Sequence, residues 1–163
     1  MNPFEILGLK AGIDINTEDL EERYLSLSRQ YHPDFNQGLA AEQQVAMLTR
    51  SAELNDAYKL LRNPWSRAET TITILDPEAM EATKTLQPDF LMEAMEMREE
   101  ADDATPEESS AMQAGVTDQI HAYLQSINAA IKTGQLREAA TLVHQSNYYR
   151  KALEALRDKV EGS

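Results

Sequence analysis

The strongest constraint on this chain is a stripe of apolar residues at helical spacing that stops abruptly at a proline. The stripe recurs every three or four residues, which predicts an amphipathic helix over residues 18–31. We expect Thr17 to cap its N-terminus. Pro33 ends the helix, because the residue before a proline is pushed out of the α region. The members of the stripe are Leu20, Tyr24, Leu27 and Tyr31.

The same periodicity predicts helices along most of the chain. A long helix over about 40–62 carries a second apolar row, formed by Met47, Ser51, Leu54, Tyr58 and Leu61. Pro88 suits a first helical position, Thr105 an N-cap, and Gly134 the residue after a helix C-cap. The remaining helices are expected at residues 2–8, 66–75, 88–102, 106–133 and 135–160.

These elements predict an all-α protein in two parts. The first part covers residues 1–75, and residues 76–87 show no firm element and are interpreted as a linker. The short loops within residues 88–163 favour antiparallel neighbours and hence a three-helix bundle. The first 75 residues hold 11 acids and 7 bases, a net charge of −4, and the rest hold 17 acids and 8 bases, a net of −9.

Composition excludes several classes of function. The 163 residues include no cysteine, so disulfides, thiolate zinc sites and cysteine-held iron–sulfur clusters are ruled out. His121 and His144 stand alone and are expected to be solvated or capped, so we expect no metal and no cofactor. The net charge of −13 disfavours binding to nucleic acid or to an anionic membrane. The N-terminus shows no targeting pattern, which favours a cytoplasmic location.

The tripeptide His32-Pro33-Asp34 follows the first amphipathic helix, which ends in Arg29-Gln30-Tyr31. The long helix after it carries Leu54-Asn55-Asp56-Ala57-Tyr58-Lys59-Leu60-Leu61, and a short helix precedes both. This arrangement resembles the J domain, in which a His-Pro-Asp loop joins two antiparallel helices. The resemblance implies a co-chaperone whose loop docks on a DnaK-type chaperone and accelerates ATP hydrolysis.

The residue types of the loop suit recognition. Pro33 restricts the backbone, so less ordering cost remains for binding. Asp34 offers a carboxylate for a charge-assisted bond to an arginine of the partner, and His32 can donate or accept beside it. By resemblance, Arg23 and Arg29 match basic positions that J domains present to the chaperone, although each could also lie on a solvated face.

Similarity continues beyond the J domain. Arg67-Ala68-Glu69 and the segment Phe90-Leu91-Met92-Glu93-Ala94-Met95-Glu96-Met97-Arg98-Glu99-Glu100 resemble the HscB family, J proteins of iron–sulfur cluster biogenesis. The resemblance implies a C-terminal bundle that holds the scaffold protein IscU, while the J domain engages the chaperone HscA. A bacterial cytoplasmic member of the family fits best, and we expect a monomer.

The helix over 88–102 has two apolar rows at 100° per residue. One row is the expected core face and consists of Phe90, Ala94, Met97 and Ala101. The opposite row is either buried by another helix or open to a partner, and the family resemblance implies that it binds the client. It consists of Leu91, Met92 and Met95, continued by Glu96, Glu99 and Asp103. Tyr148 matches an aromatic residue of the same patch, and Tyr149 is its alternative.

Four other interpretations remain possible at this stage. An enzyme is disfavoured because His32 and Asp34 have no nucleophile, Gly-rich loop or second histidine beside them. A general J protein for unfolded clients would carry a Gly/Phe-rich linker or a zinc module. A helical adaptor with a decayed tripeptide is disfavoured by the intact motif. A J-domain co-chaperone for a dedicated client outside iron–sulfur assembly is the alternative to the HscB function.

Overall fold

The computed structural model describes residues 1–162, and within that range the chain has helices and no strand, which confirms the predicted all-α fold. It divides into two compact units, Met1–Ile74 and the chain from Leu75 onward. The elements are α1 (Pro3–Ile6), α2 (Thr17–Tyr31), a 3₁₀ turn (Pro33–Phe35), α3 (Ala41–Arg62), α4 (Pro64–Leu75), α5 (Ala79–Ala82), α6 (Pro88–Asp103), α7 (Pro106–Lys132) and α8 (Leu136–Glu161).

The N-terminal unit is built on the hairpin of α2 and α3. The ring of Tyr24 stacks on that of Tyr58 at a centroid distance of 4.1 Å, and Tyr31 lies beside Met47, so the two helices run antiparallel. The Tyr24 hydroxyl donates to Asn55 Oδ1 at 2.7 Å. Both predicted apolar rows face this contact. The buried cluster at this hairpin comprises Phe4, Leu7, Leu20, Leu54, Ala57 and Leu61.

The cap of α2 differs from the sequence prediction. Asn16, and not Thr17, is the N-cap residue, and Thr17 is the first residue of the helix. The Asn16 side-chain oxygen accepts from the amides of Glu18 at 2.9 Å and Asp19 at 3.2 Å. Asparagine outranks threonine as a cap, and here one side chain satisfies two of the free amides of the first turn.

The C-terminal unit is dominated by the pairing of α7 with α8, and α6 packs on α8. The Thr105 hydroxyl accepts from the Glu108 amide at 3.1 Å, which confirms the predicted cap of α7. Gly134 has φ +77°, as expected for the residue that reverses the chain after a helix. Ala94 and Ala101 are buried on the predicted core face of α6.

The segment interpreted as a linker contains α5, which packs on α8. Ala79 is fully buried, and His144 Nε2 lies 2.7 Å from the Met80 carbonyl oxygen. Arg137 Nε lies 3.1 Å from Asp76 Oδ2. The His144 side chain is half-buried, and its ring bonds to a backbone carbonyl group. A helix of four residues is too short to produce a periodic pattern, and contacts with α8 stabilise it.

Candidate functional site

The exposed loop between α2 and α3 is held in a defined conformation. His32 is at once the C-cap of α2 and the N-cap of the 3₁₀ turn. Its Nδ1 accepts from the Asp34 amide at 3.1 Å. The neutral imidazole therefore carries its proton on Nε2. The His32 and Asp34 side chains are 56% and 77% exposed, so both can meet a partner.

Asn36 fixes this loop through hydrogen bonds to backbone carbonyl groups. Its side-chain Nδ2 donates to the carbonyl oxygens of Gln30 at 2.9 Å and His32 at 2.8 Å. Its backbone amide donates to the Pro33 carbonyl at 3.0 Å. This role of Asn36 was not predicted from the sequence. The available signal was an asparagine two residues after Asp34, because short amide side chains often bond to nearby backbone at turns.

The two arginines proposed from the J-domain resemblance have different environments. Arg23 Nε lies 3.0 Å from Asp19 Oδ2, and its Nη1 donates to the Gly8 carbonyl at 3.0 Å. Gly8 has φ +67°, which glycine adopts at little cost. Arg29 is exposed next to the loop, and its backbone carbonyl accepts from the His32 amide at 3.2 Å. Arg23 thus ties the loop after α1 to α2.

The outer face of α6 carries the second candidate site. Met92 and Met95 are each 61% exposed, whereas Leu91 is half-buried. We call these three residues the client face. The acids that continue the row are exposed and line a groove of about 550 Å³ between α6 and the start of α7. The groove residues are Glu96, Glu99, Glu100, Asp103, Glu108 and Met112.

An aromatic row connects α6 with α8 and α7. Tyr148 meets Phe90 edge-on at 5.8 Å and is 42% exposed. Tyr149 is half-buried between Phe90, at 6.4 Å, and Tyr123, at 5.2 Å. Burial raises the pKa of Tyr123 to about 12, and Tyr149 and Glu93 add to the shift. The aromatic residue that adjoins α6 while remaining open to solvent is therefore Tyr148.

Residues 1–162 contain no group of three or more His, Asp or Glu side chains placed to hold a metal ion. No helix in the same range is long and apolar enough to cross a membrane.

Family models match both units. Residues 2–70 match the DnaJ domain, and residues 86–157 match the HSCB C-terminal oligomerisation domain. The DnaJ match implies a partner of the Hsp70 class.

Similar proteins extend these matches to nearly the whole chain. The co-chaperone protein HscB homolog of Haemophilus ducreyi is 31% identical, over 98% of this chain and 95% of its own length. The corresponding homolog of Pasteurella multocida is 34% identical, over 94% of this chain and 92% of its own. The crystal structure of human co-chaperone protein HscB shares the fold, with a TM-score of 0.83 at 23% identity over 98% of this chain and 82% of its own. Such co-chaperones are not enzymes. This chain belongs to the HscB family of J-domain co-chaperones.

Proposed function

We propose that the chain stimulates the ATPase of a DnaK-type chaperone of the HscA kind through His32, Pro33 and Asp34. The observation that carries this proposal is the exposed loop, ordered by the bonds of His32 Nδ1 and the Asn36 amide. A loop that is already ordered loses little entropy on binding. Asp34 pairs with an arginine of the chaperone, and Arg29 provides a cation beside it.

We further propose that the client face delivers an IscU-type scaffold protein to that chaperone. Two methionines at 61% exposure suit an adaptable contact surface, and they lie on a helix whose other row includes the buried Ala94 and Ala101. The acids Glu96, Glu99 and Asp103 form a charged rim that steers a client with basic residues. Tyr148, which lies on α8, adds a further apolar side chain to this surface.

The two proposed surfaces lie on different compact units, the loop before residue 75 and the client face after it. Linking two binding sites in one chain raises the effective concentration of client at the chaperone. The client should therefore increase stimulation beyond that given by the J domain alone, and this extra increase should depend on the client face.

A steady-state ATPase assay with a chaperone of the HscA kind, with and without scaffold, tests both parts. Wild-type protein should stimulate hydrolysis, and Asp34→Asn should abolish stimulation without changing the melting temperature, because the exposed loop contributes little to the core. Retained stimulation by folded Asp34→Asn would refute the loop assignment. Stimulation that a scaffold never increases would favour a co-chaperone for a different dedicated client.

A further inference from the structure

The C-terminal end of α6 carries an unfavourable charge for a helix end. A helix C-terminus bears a partial negative charge and is stabilised by cations. The last turn of α6 instead contains Glu100, Asp102 and Asp103 and no basic residue. Its C-cap, Ala104, is extended and leads directly into Thr105, the N-cap of α7. Helix α6 therefore ends without the basic residue or the glycine that commonly stabilises such an end.

A lysine of α8 supplies a cation at this position. Lys159 Nζ donates to the backbone carbonyl oxygen of Asp102 and, at 2.8 Å, to that of Ala104. Carbonyl groups at a helix C-terminus have no partner within the helix, and bonds from a charged donor are the stronger kind. The two carbonyl groups flank Asp103 in the chain, so one ammonium group fixes the backbone on both sides of that residue.

The same two bonds lie at the turn between the walls of the groove described above. Glu99 and Asp103 line the groove from α6, and Glu108 lines it from α7. Both α6 and α7 pack on α8. Because Lys159 attaches the turn between the two walls to α8, we expect it to fix the positions of the carboxylates on the α6 wall.

We propose that Lys159 is a positioning residue for the charged rim of the client face. This inference rests on the proposed function of the client face. The half-buried Lys159 side chain acts through the backbone of α6 and holds Asp103 in place for a basic client. A last turn that frays presents Asp103 correctly for only part of the time, and the apparent affinity for the client falls by that fraction.

The charge of Lys159 by itself predicts the opposite effect on binding. Removal of a lysine makes the C-terminal unit more acidic, which strengthens its attraction for a basic client. Positioning predicts weaker binding, because the last turn of α6 frays when the cation at its end is lost. The sign of the change in client affinity therefore distinguishes the two roles.

The test is a calorimetric titration of the full chain with an IscU-type scaffold. Lys159→Met keeps a long side chain and removes its charge and its donors. The dissociation constant should rise about fivefold, the change expected if the last turn of α6 is then ordered about one fifth of the time. Hydrogen exchange at the amides of Asp102, Asp103 and Ala104 should become faster. Lys159→Arg, which keeps a charged donor, should restore both properties.

Lys151→Met provides the matched control. Lys151 is an exposed cation of the same helix, about two turns before Lys159, so its loss changes the net charge equally. This variant should bind the scaffold as tightly as wild type or more tightly, with unchanged hydrogen exchange in α6.

A double-mutant cycle separates positioning from a general loss of stability. If Lys159 acts through Asp103, Asp103→Asn should cost less affinity in the Lys159→Met background than in wild type. A lysine that only stabilised the bundle would give losses that add.

Three results would overturn the inference while leaving the client face intact. The first is wild-type scaffold affinity in Lys159→Met, and the second is tighter binding by that variant, which would leave only an effect of charge. The third is strict additivity in the cycle with Asp103→Asn. Wild-type affinity in Met92→Ala/Met95→Ala would instead refute the proposed function of the client face, and this inference with it.

Discussion

The side-chain amide nitrogen of Asn36 lies 2.8 Å from the backbone carbonyl oxygen of His32 and so joins the end of the 3₁₀ turn to its beginning. The same nitrogen donates to Gln30 in the last turn of α2. A single side chain thus links the helix to the turn that carries Asp34, and we expect the orientation of the tripeptide to depend on it.

Replacement of Asn36 tests this dependence. Asn36→Ala removes both bonds, and Asn36→Asp removes the donor, because a carboxylate only accepts. Each variant should reduce stimulation of the chaperone several-fold and lower the free energy of unfolding by about 1 kcal/mol. The measurements are the ATPase assay and urea denaturation. Wild-type stimulation by both variants would show that the loop is ordered without the side-chain hydrogen bonds of Asn36.

The two methionines of the client face should contribute to binding and not to stability. Met92→Ala/Met95→Ala should weaken scaffold binding at least tenfold, about 1.4 kcal/mol, and change unfolding by no more than about 0.5 kcal/mol. Met97→Ala, on the half-buried inner row, is the control and should lower stability more than it lowers affinity. Calorimetry and a scaffold titration measure both quantities. Early melting of the double variant would identify these methionines as core residues.

Tyr148 and Tyr149, neighbours on α8, should likewise differ, one contributing to scaffold binding and the other to stability. Tyr148→Ala should weaken scaffold binding with little loss of stability, since the ring is 42% exposed. Tyr149→Ala should lower the melting temperature, because its ring packs between Phe90 and Tyr123. The reverse pattern would assign the client contact to Tyr149.

Tyr123 predicts a dependence of stability on alkaline pH. Its folded pKa of about 12 lies above the unfolded value near 10, so in this interval the folded state keeps a proton that the unfolded state has released. The stabilisation by this group is complete below about pH 10 and declines as pH rises toward 12. Urea midpoints of wild type and Tyr123→Phe between pH 9 and 12 measure it. The advantage of wild type over the variant should shrink with pH, and a constant difference would contradict the raised pKa.

Two glycines of the bundle predict opposite effects of the same substitution. Gly134 has φ +77°, so Gly134→Ala places a β-carbon in the left-handed region and should cost about 1–2 kcal/mol. Gly115 lies inside α7 with open space at its β position, so Gly115→Ala should stabilise by about 0.5–1 kcal/mol. Chemical denaturation of the two variants measures the change in the free energy of unfolding. A Gly134→Ala variant more stable than wild type would contradict the prediction.

All of the α-helices except α5, the apolar rows of α2, α3 and α6, and the position of the tripeptide were predictable from the sequence. Helix periodicity and proline or glycine stops are local properties, so they can be recognised from a few consecutive residues. The rows of α2 and α3 and the core row of α6 face the interior as the periodicity predicts, and the Thr105 cap is where it was expected.

Which helix faces pack together and which remain exposed depends on how the helices pack in three dimensions. The pattern on α6 could not distinguish a second buried row from an exposed one, and it is the packing of α6 on α8 that leaves Met92 and Met95 open. The same packing leaves Tyr148 exposed and Tyr149 half-buried. The bond from His144 to Met80 joins residues 64 positions apart. Such contacts depend on how distant helices pack, and no local pattern of residues encodes them.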